Sequence, residues 1–211
     1  MKIRNPPSPL TNPQFSDLPQ GAELHRVHLT TFRAGQFNPG QGGPTRFAPF
    51  NDGNGAPVPS LYASATLPAA IHETIFHEIP ANAGTKTARI NEVYIQTHSM
   101  LHTNRALRLV ELRNVTLSNW GISRKDLITS SPSLYSQTVL WAEAIHRDIP
   151  DADGLVWTSN QCDPDNAYLF FGDRVDESDF TAALARDGET VTSFLQDVRD
   201  EGRRRGITLT I

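Results

Sequence analysis

Residues 60–73 read SLYASATLPAAIHE, and this stretch predicts a short buried strand that runs directly into a helix. Thr66 is a residue type that caps helix N-termini, and a proline is tolerated in the first turn that follows it. The helical pattern continues through Glu73 and His77, and Pro80 ends it. The sequence therefore places Glu73 on a helix face beside small and apolar side chains.

The rest of the chain is typical of short strands with few helices. Because strands and helices do not alternate strictly, the sequence favours an α+β fold over a doubly wound one. Ser131 or Ser133 is expected to cap the N-terminus of a helix that is predicted over residues 134–145. Strands are predicted at residues 24–29, 90–95, 107–112, 154–159, 167–171 and 207–210, and helices at 134–145 and 191–203.

Composition divides the chain into an irregular front and a more regular back, since 12 of the 15 prolines lie in the first 80 residues. Residues 1–22 carry five prolines and no periodic apolar pattern. They predict an N-terminal arm, either disordered or draped over the domain, and residues 23–211 predict one domain. Residues 31–60 are rich in Gly, Pro, Asn and Asp, which is typical of a functional loop.

Charge and composition exclude several classes of protein. The 211 residues carry a net charge of −4 with a pI of about 5.9, which argues against nucleic-acid binding as the main role. No apolar run is long enough to span a bilayer, and the N-terminus lacks the apolar core of a secretory signal. The single Cys162 can form neither an internal disulfide nor a cysteine metal cluster. We expect a cytoplasmic protein that does not contact membranes.

Several local motifs favour ordinary structural interpretations. His72 and His77 are five residues apart, roughly 140° around a helix, so two surface histidines are expected rather than a metal site. Residues 40–44 match neither a dinucleotide fingerprint nor a phosphate-binding loop, and they predict a flexible turn. Cys162 has no histidine partner nearby in the sequence. The three arginines at 203–205 predict a solvated helix end.

Two arginines and a carboxylate stand in unusual positions. Arg26 lies in the middle of a predicted strand, Arg46 follows the glycine-rich segment, and Glu73 lies on an apolar helix face. Buried charges cost free energy unless they are paired. The residues themselves leave two interpretations open, a structural Arg–Glu salt bridge or a functional site that includes Tyr62 in its buried strand.

Six short motifs follow one another in order. They read HRV at 25–27, PTRF at 44–47, SLYAS at 60–64, AAIHE at 69–73, WTS at 157–159 and NAYLF at 166–170. Together they resemble the RES domain family, toxins of bacterial toxin–antitoxin pairs that are named for their Arg, Glu and Ser. The resemblance spans residues 24 to about 175, most of the chain.

The resemblance implies an ADP-ribosyltransferase-like fold, with small mixed or antiparallel sheets, and a toxin that consumes NAD⁺ as substrate without a metal. Such a toxin cleaves the nicotinamide–ribose bond by hydrolysis or phosphorolysis, so that it depletes NAD⁺ and arrests growth unless an antitoxin neutralises it. The antitoxin of the family is a small protein with a helix-turn-helix portion, which this sequence does not contain. The oligomeric state stays open, with a homodimer as one alternative.

The resemblance also assigns roles to five residues: Glu73, Arg26 and Ser159 are expected to be catalytic, and Arg26, Arg46, Tyr62 and Ser159 are expected to bind NAD⁺. Glu73 would stabilise the positive charge that develops on the ribose. Arg26 and Arg46 would bind the pyrophosphate, because arginine forks bind oxyanions with two hydrogen bonds. Tyr62 would stack on the nicotinamide or wall the pocket, and Ser159 would orient the nicotinamide amide or the ribose.

Two other functions remain open. A mono-ADP-ribosyltransferase would use the same residues but modify a protein. A non-catalytic nucleotide-binding module would use the arginines and Glu73 as a structural network. The sequence does not distinguish water, phosphate and a protein side chain as the acceptor.

Overall fold

The structure is a computed structural model that describes residues 2–80 and 82–211. Regular elements follow one another from Phe15 to Thr210. The strands are β1 Phe15–Leu18, β2 Glu23–Leu29, β3 Phe50–Asn51, β4 Pro57–Val58, β5 Ser60–Ser64, β6 Thr87–Arg89, β7 Gln96–Thr103, β8 Leu107–Glu111, β9 Gly154–Thr158, β10 Asn166–Phe171, β11 Phe180–Asp187 and β12 Thr208–Thr210. The helices are α1 Leu67–Thr74, α2 Ile90–Tyr94, α3 Asn114–Asn119, α4 Arg124–Leu127, α5 Tyr135–Asp148 and α6 Thr192–Arg205, with short 3-10 turns at Pro132–Leu134 and Glu177–Asp179.

Eight of the strands form one mixed sheet in the order β1-β8-β9-β10-β5-β2-β7-β11. Only β8 and β9 pair in parallel, and the other neighbours in this sheet are antiparallel. The predicted α+β fold with mixed and antiparallel pairing is therefore confirmed. The main sheet is larger than expected, because the sequence pattern did not predict β1, β7 or β11. Strand β7 escaped because its buried positions include histidine, serine and threonine rather than an alternating apolar set.

Three local predictions were wrong. The strand predicted at residues 90–95 is instead helix α2, Ile90–Tyr94, in which Val93 packs into the core beside α1, and Ile95 after it is exposed. Helix α1 ends at Thr74 instead of reaching Pro80, since the Phe76 side chain leaves the helix to become fully buried. Neither serine caps α5. A 3-10 turn over residues 132–134 leads into it, and the hydroxyls of the two serines bond to each other.

The N-terminal arm lies along the domain in the structure. Ile3 and Leu10 are buried in the main core, and β1 adds an edge strand beside β8. The indole N–H of Trp141 in α5 donates to the Arg4 carbonyl at 2.9 Å. Apolar burial therefore fixes the arm despite its prolines.

The apolar core has three parts. One part lies between the sheet and the helices α3 to α5, and a second covers the opposite face of the sheet, where Ala34 and Phe37 pack against it. The third joins α1 to α6 around Phe76 and Phe194. Within the described residues, no helix combines the length and the apolar character that a bilayer crossing requires.

The position of the site follows from how β2 and β5 pair. These two central strands are bonded in register at a single position, His25 opposite Ser64, although each is at least five residues long. The sheet therefore opens beyond that pair, and helix α1 follows β5 directly along the opening. Thr66 caps α1 as predicted, because its hydroxyl accepts the Ala69 N–H.

Candidate active site

A cavity of about 440 Å³ occupies the opening between β2, β5 and the C-terminal half of α1. Its volume lies in the range of small-molecule sites, about 300–1,000 Å³. Four of the five residues predicted from the sequence line it together, namely Arg26, Arg46, Tyr62 and Glu73. They come from four different parts of the chain, so the fold brings them into one site.

The Glu73 carboxylate is held by a tight turn after β9. Its Oε1 accepts hydrogen bonds from the Ser159 hydroxyl at 2.5 Å and from the Asn160 N–H at 2.9 Å, with the Gln161 N–H at 3.4 Å. Donors that converge on one oxygen fix the direction of the side chain. The other oxygen, Oε2, has no hydrogen-bond donor in the described part of the chain, which leaves it open to a ligand.

The salt-bridge interpretation is wrong for these residues. Across residues 2–80 and 82–211, no ion pair within 4.0 Å joins Glu73 to Arg26 or Arg46, and neither arginine has any other carboxylate partner at that distance. The cavity therefore keeps two cationic side chains and one carboxylate apart. Separated charges of this kind suit a ligand that carries both an anionic and a cationic part.

Ser159 lies behind Glu73 instead of facing the cavity. It is 1% exposed, and its hydroxyl donates to Glu73 while accepting the Cys162 N–H at 2.9 Å. Arg124 of α4 in turn holds the Thr158 and Ser159 carbonyls at 3.2 and 3.4 Å. The hydroxyl that was expected to orient the ligand is thus engaged in orienting a side chain.

Arg26 is 6% exposed within β2 and faces the 31–60 loop. Its Nη1 donates to the Ala34 carbonyl at 2.7 Å and to the Arg33 carbonyl at 3.4 Å. Burial lowers the pKa of Arg26 to about 10, and the nearby Glu177 charge offsets part of that effect. The guanidinium therefore remains charged at neutral pH, and Arg26 is one of the residues that line the cavity.

Arg46 is held on the side of the cavity that faces α5. Its Nη1 donates to the Ser130 hydroxyl at 2.9 Å, and its guanidinium lies 5.1 Å from the centre of the Tyr135 ring. Its main-chain carbonyl accepts the Thr138 hydroxyl of α5. These contacts fix the direction of the guanidinium without neutralising it.

Tyr62 serves the site with both ends of its side chain. Its hydroxyl accepts the Phe47 N–H at 3.1 Å and bonds to the Thr45 hydroxyl at 2.9 Å, so it ties the loop that carries Arg46 to β5. Burial raises the pKa of Tyr62 to about 12, so the phenol stays neutral. Its ring lines the cavity and packs edge-on against Trp157.

The glycine-rich segment lies at the rim. Gly40 and Gly42 have φ values of 101° and 95°, a region that disfavours side chains. The Asn38 side chain accepts the N–H groups of Gly40 and Gln41, so these donors are engaged within the loop. Gly43 also lines the cavity.

Two residues at the site were not predicted from the sequence. Tyr135 contacts Arg46, and His28 lines the cavity from the β2 position next but one to Arg26. Side chains alternate between the two faces of a strand, so the strand predicted at residues 24–29 places His28 on the same face as Arg26. This alternation is the sequence signal that could have identified His28 as a site residue. Nothing in the sequence linked Tyr135 to residues 89 positions away.

The buried histidines predict a dependence of stability on pH. Burial first and the Arg26 charge second lower the pKa of His28 to about 4, and burial with the Arg186 charge lowers that of His98 to about 3. In the unfolded chain both take up protons below about pH 6.5. The free energy of unfolding should therefore fall as the pH decreases from about 6.5 towards 4, with no contribution above 6.5.

Urea unfolding of the wild type and His98→Gln at several pH values checks this expectation. The variant should show a weaker loss of stability on acidification, whereas His102→Gln, which changes a more exposed histidine, should behave as the wild type does. An equal pH dependence in all three proteins would contradict the assignment.

The structure also tests the predictions for the two histidines of the α1 region, for Cys162 and for the arginines at the end of α6. His72 is buried and contacts Glu201 at 3.3 Å, so it is not a surface histidine, whereas His77 is exposed. No group of three metal-ligating side chains occurs among the described residues. Burial raises the pKa of Cys162 to about 11, so its thiol stays protonated. Arg205 is only partly exposed, since it turns inward and bonds to Gln161.

Comparisons with known proteins fit this fold. The family model described as RES domain matches residues 23–189. The crystal structure of the M. tuberculosis MbcT–MbcA toxin–antitoxin complex contains a chain that superposes with a TM-score of 0.61 at 13% identity, over 87% of this chain and 92% of that chain. No curated protein matches.

Proposed function

Because this chain belongs to the RES domain family, we propose that it is a toxin that cleaves the nicotinamide–ribose bond of NAD⁺ and is neutralised by an antitoxin protein. The observation that carries the proposal is the Glu73 carboxylate. It is fixed through one oxygen and lines a cavity together with Arg26 and Arg46, and none of these three side chains forms an ion pair among the described residues.

The chemistry needs little from the protein at the leaving group. Nicotinamide leaves NAD⁺ from a cationic pyridinium, so the electron pair of the broken bond neutralises the ring and no general acid is required. Positive charge then develops on the ribose, as in glycoside cleavage. Water or phosphate adds to the ribose carbon, and with water one proton is released to solvent.

Glu73 supplies the charge opposite to the one that develops. The three donors on Oε1 hold the carboxylate before the reaction, so no reorganisation is needed as the bond breaks. Its free Oε2 is the oxygen that we assign to the ribose. A group that interacts more strongly with the transition state than with the substrate raises kcat.

The arginines and the aromatic side chains bind the rest of the substrate. Arg26 and Arg46 have no carboxylate partner in the described chain, and a pyrophosphate supplies two negative charges to match them. Tyr62 and Trp157 offer ring surface for the nicotinamide. Ser159 acts through Glu73, so we assign it a positioning role rather than a contact with the substrate.

The partner proposal rests on the structural neighbour, which is a toxin–antitoxin complex. An antitoxin of the kind expected for the family, with a helix-turn-helix portion, would bind this chain and suppress its activity. Expression of the chain alone in bacteria should then stop growth and lower the NAD⁺ content, and Glu73→Gln should not.

Incubation of the purified protein with NAD⁺, with and without phosphate, tests the proposed reaction. Free nicotinamide together with ADP-ribose indicates hydrolysis, and a phosphorylated ADP-ribose formed only with phosphate indicates phosphorolysis. ADP-ribose found on a protein would favour the transferase alternative. NAD⁺ that binds but stays intact would favour the non-catalytic alternative.

Ser159→Ala should lower kcat roughly tenfold, because Glu73 keeps its two backbone donors but loses the hydroxyl. The KM for NAD⁺ should change little, since Ser159 does not line the cavity. Ser193→Ala, at an exposed serine of α6, is the matched control. A large rise in KM with an unchanged kcat would instead indicate direct contact with the substrate. Steady-state kinetics of nicotinamide release separate these outcomes.

A further inference from the structure

The C-terminal segment, residues 190–211, contacts the elements that carry the site although it lies beyond residues 23–189, the range that the family model matches. Helix α6 packs along α1, the helix that carries Glu73, and Phe194 and Phe76 share one core cluster. The pair of His72 and Glu201 adds a buried polar contact between the two helices. The C-terminal segment therefore stabilises the position of α1 by packing against it.

Arg205, the last residue of α6, reaches the turn that holds Glu73. Its Nη2 donates to the Gln161 side-chain carbonyl and, at 3.3 Å, to the Ile79 carbonyl. The main-chain N–H of Gln161 faces Glu73 Oε1 at 3.4 Å, and its side-chain amide donates to the His77 carbonyl at 3.3 Å. One glutamine thus joins α6, the segment that follows α1 and the turn.

The charge of Arg205 is costly where it lies. Burial lowers the pKa of Arg205, and the negative charge of Glu73 opposes this effect. Its Nη1 is buried and has no hydrogen-bond partner among the described residues. The neighbouring Arg203 and Arg204 are exposed and paired with acidic side chains of α6, as a solvated helix end predicts. A guanidinium turned inward at such a cost serves something other than solubility.

We propose that Arg205 is a positioning residue for Glu73, acting through Gln161. It holds the Gln161 side chain, so that the turn over residues 159–162 keeps its donors directed at Oε1. The effect on catalysis rests on the proposed function, whereas the effect on the turn does not. Arg205 does not line the cavity, so it makes no contact with the substrate.

The test compares Arg205→Met with the matched control Arg203→Met, which removes the same charge from the same helix end at a side chain that is 68% exposed. Arg205→Met should lower kcat for nicotinamide release about tenfold with little change in KM, because a small displacement of a catalytic group is costly. Arg203→Met should match the wild type. Arg205→Lys keeps the charge and should recover part of the loss.

Amide hydrogen exchange measures the turn without any substrate. In Arg205→Met the amides of residues 160–162 in the turn should exchange faster than in the wild type. The exchange rates of the α6 amides should be unchanged. In a Gln161→Met background, Arg205→Met should add little to the loss of kcat, because the two residues act through one contact.

Two results would overturn the proposal. Unchanged exchange at residues 160–162 in Arg205→Met would show that the turn does not depend on this residue. Faster exchange along all of α6, with kcat falling only in proportion to unfolded protein, would show a purely structural role. If the wild type releases no nicotinamide, the proposed function fails, and the exchange measurement alone still decides the role of Arg205.

Discussion

Glu73→Gln should lower kcat for nicotinamide release by about two orders of magnitude or more, the scale of one lost transition-state stabiliser. Glutamine keeps the size of the side chain, and its carbonyl oxygen can still accept the Ser159 hydroxyl and the Asn160 N–H. The variant loses only the negative charge that opposes the developing charge on the ribose. The KM for NAD⁺ should therefore change little.

Thermal stability separates this interpretation from a structural one. No arginine is paired with Glu73 in the described structure, so removal of its charge leaves no buried cation without a partner. We expect a melting temperature close to that of the wild type. Glu92→Gln, which removes a charge from an exposed carboxylate of α2 that does not line the cavity, is the matched control and should retain full activity. A destabilised variant whose remaining folded fraction is fully active would contradict the catalytic role.

Arg46→Ala should weaken the binding of NAD⁺ by roughly 1–3 kcal/mol, the scale of a lost hydrogen bond to a charged group. Nicotinamide riboside should be affected less, because it lacks the pyrophosphate that we assign to Arg46. The comparison uses kcat/KM for the two substrates with the same protein preparation. Arg199→Ala, at an exposed arginine of α6, controls for the loss of one positive charge.

Arg46 also has structural contacts, and these need a separate measurement. It bonds to Ser130 and lies over the Tyr135 ring, so the substitution should cost some stability as well. That cost is the same for both substrates and does not alter their ratio. Equal losses on NAD⁺ and nicotinamide riboside would show that Arg46 is not a phosphate ligand.

The sequence predicted most of the residues of the site but few of the contacts between them. The cap at Thr66 and the strand that contains Tyr62 follow from local residue types, so these parts of the fold were predictable. The placement of Glu73 against Ser159 joins residues 86 positions apart, and only tertiary packing decides it. For this reason the sequence could suggest a role for the serine but could not identify the atom that it contacts.

The elements that escaped prediction share a physical cause. Strand β7 buries polar side chains that bond within the sheet, such as His98 and Ser99, so no apolar alternation marks it. Residues 90–95 carry β-branched residues that favour a strand, yet the need to bury Val93 beside α1 imposes a helical turn. The sequence predicted that Arg205 belongs to a solvated helix end because the two arginines that precede it do lie exposed at the end of α6.

The central claim is that the Glu73 carboxylate drives release of nicotinamide from NAD⁺. The most direct measurement is a time course of free nicotinamide, recorded by NMR, with folded wild-type protein freed of any antitoxin and with Glu73→Gln at the same concentration. We expect steady release by the wild type and at least about a hundredfold slower release by the variant. No release by the folded wild type, or equal release by both proteins, would contradict it.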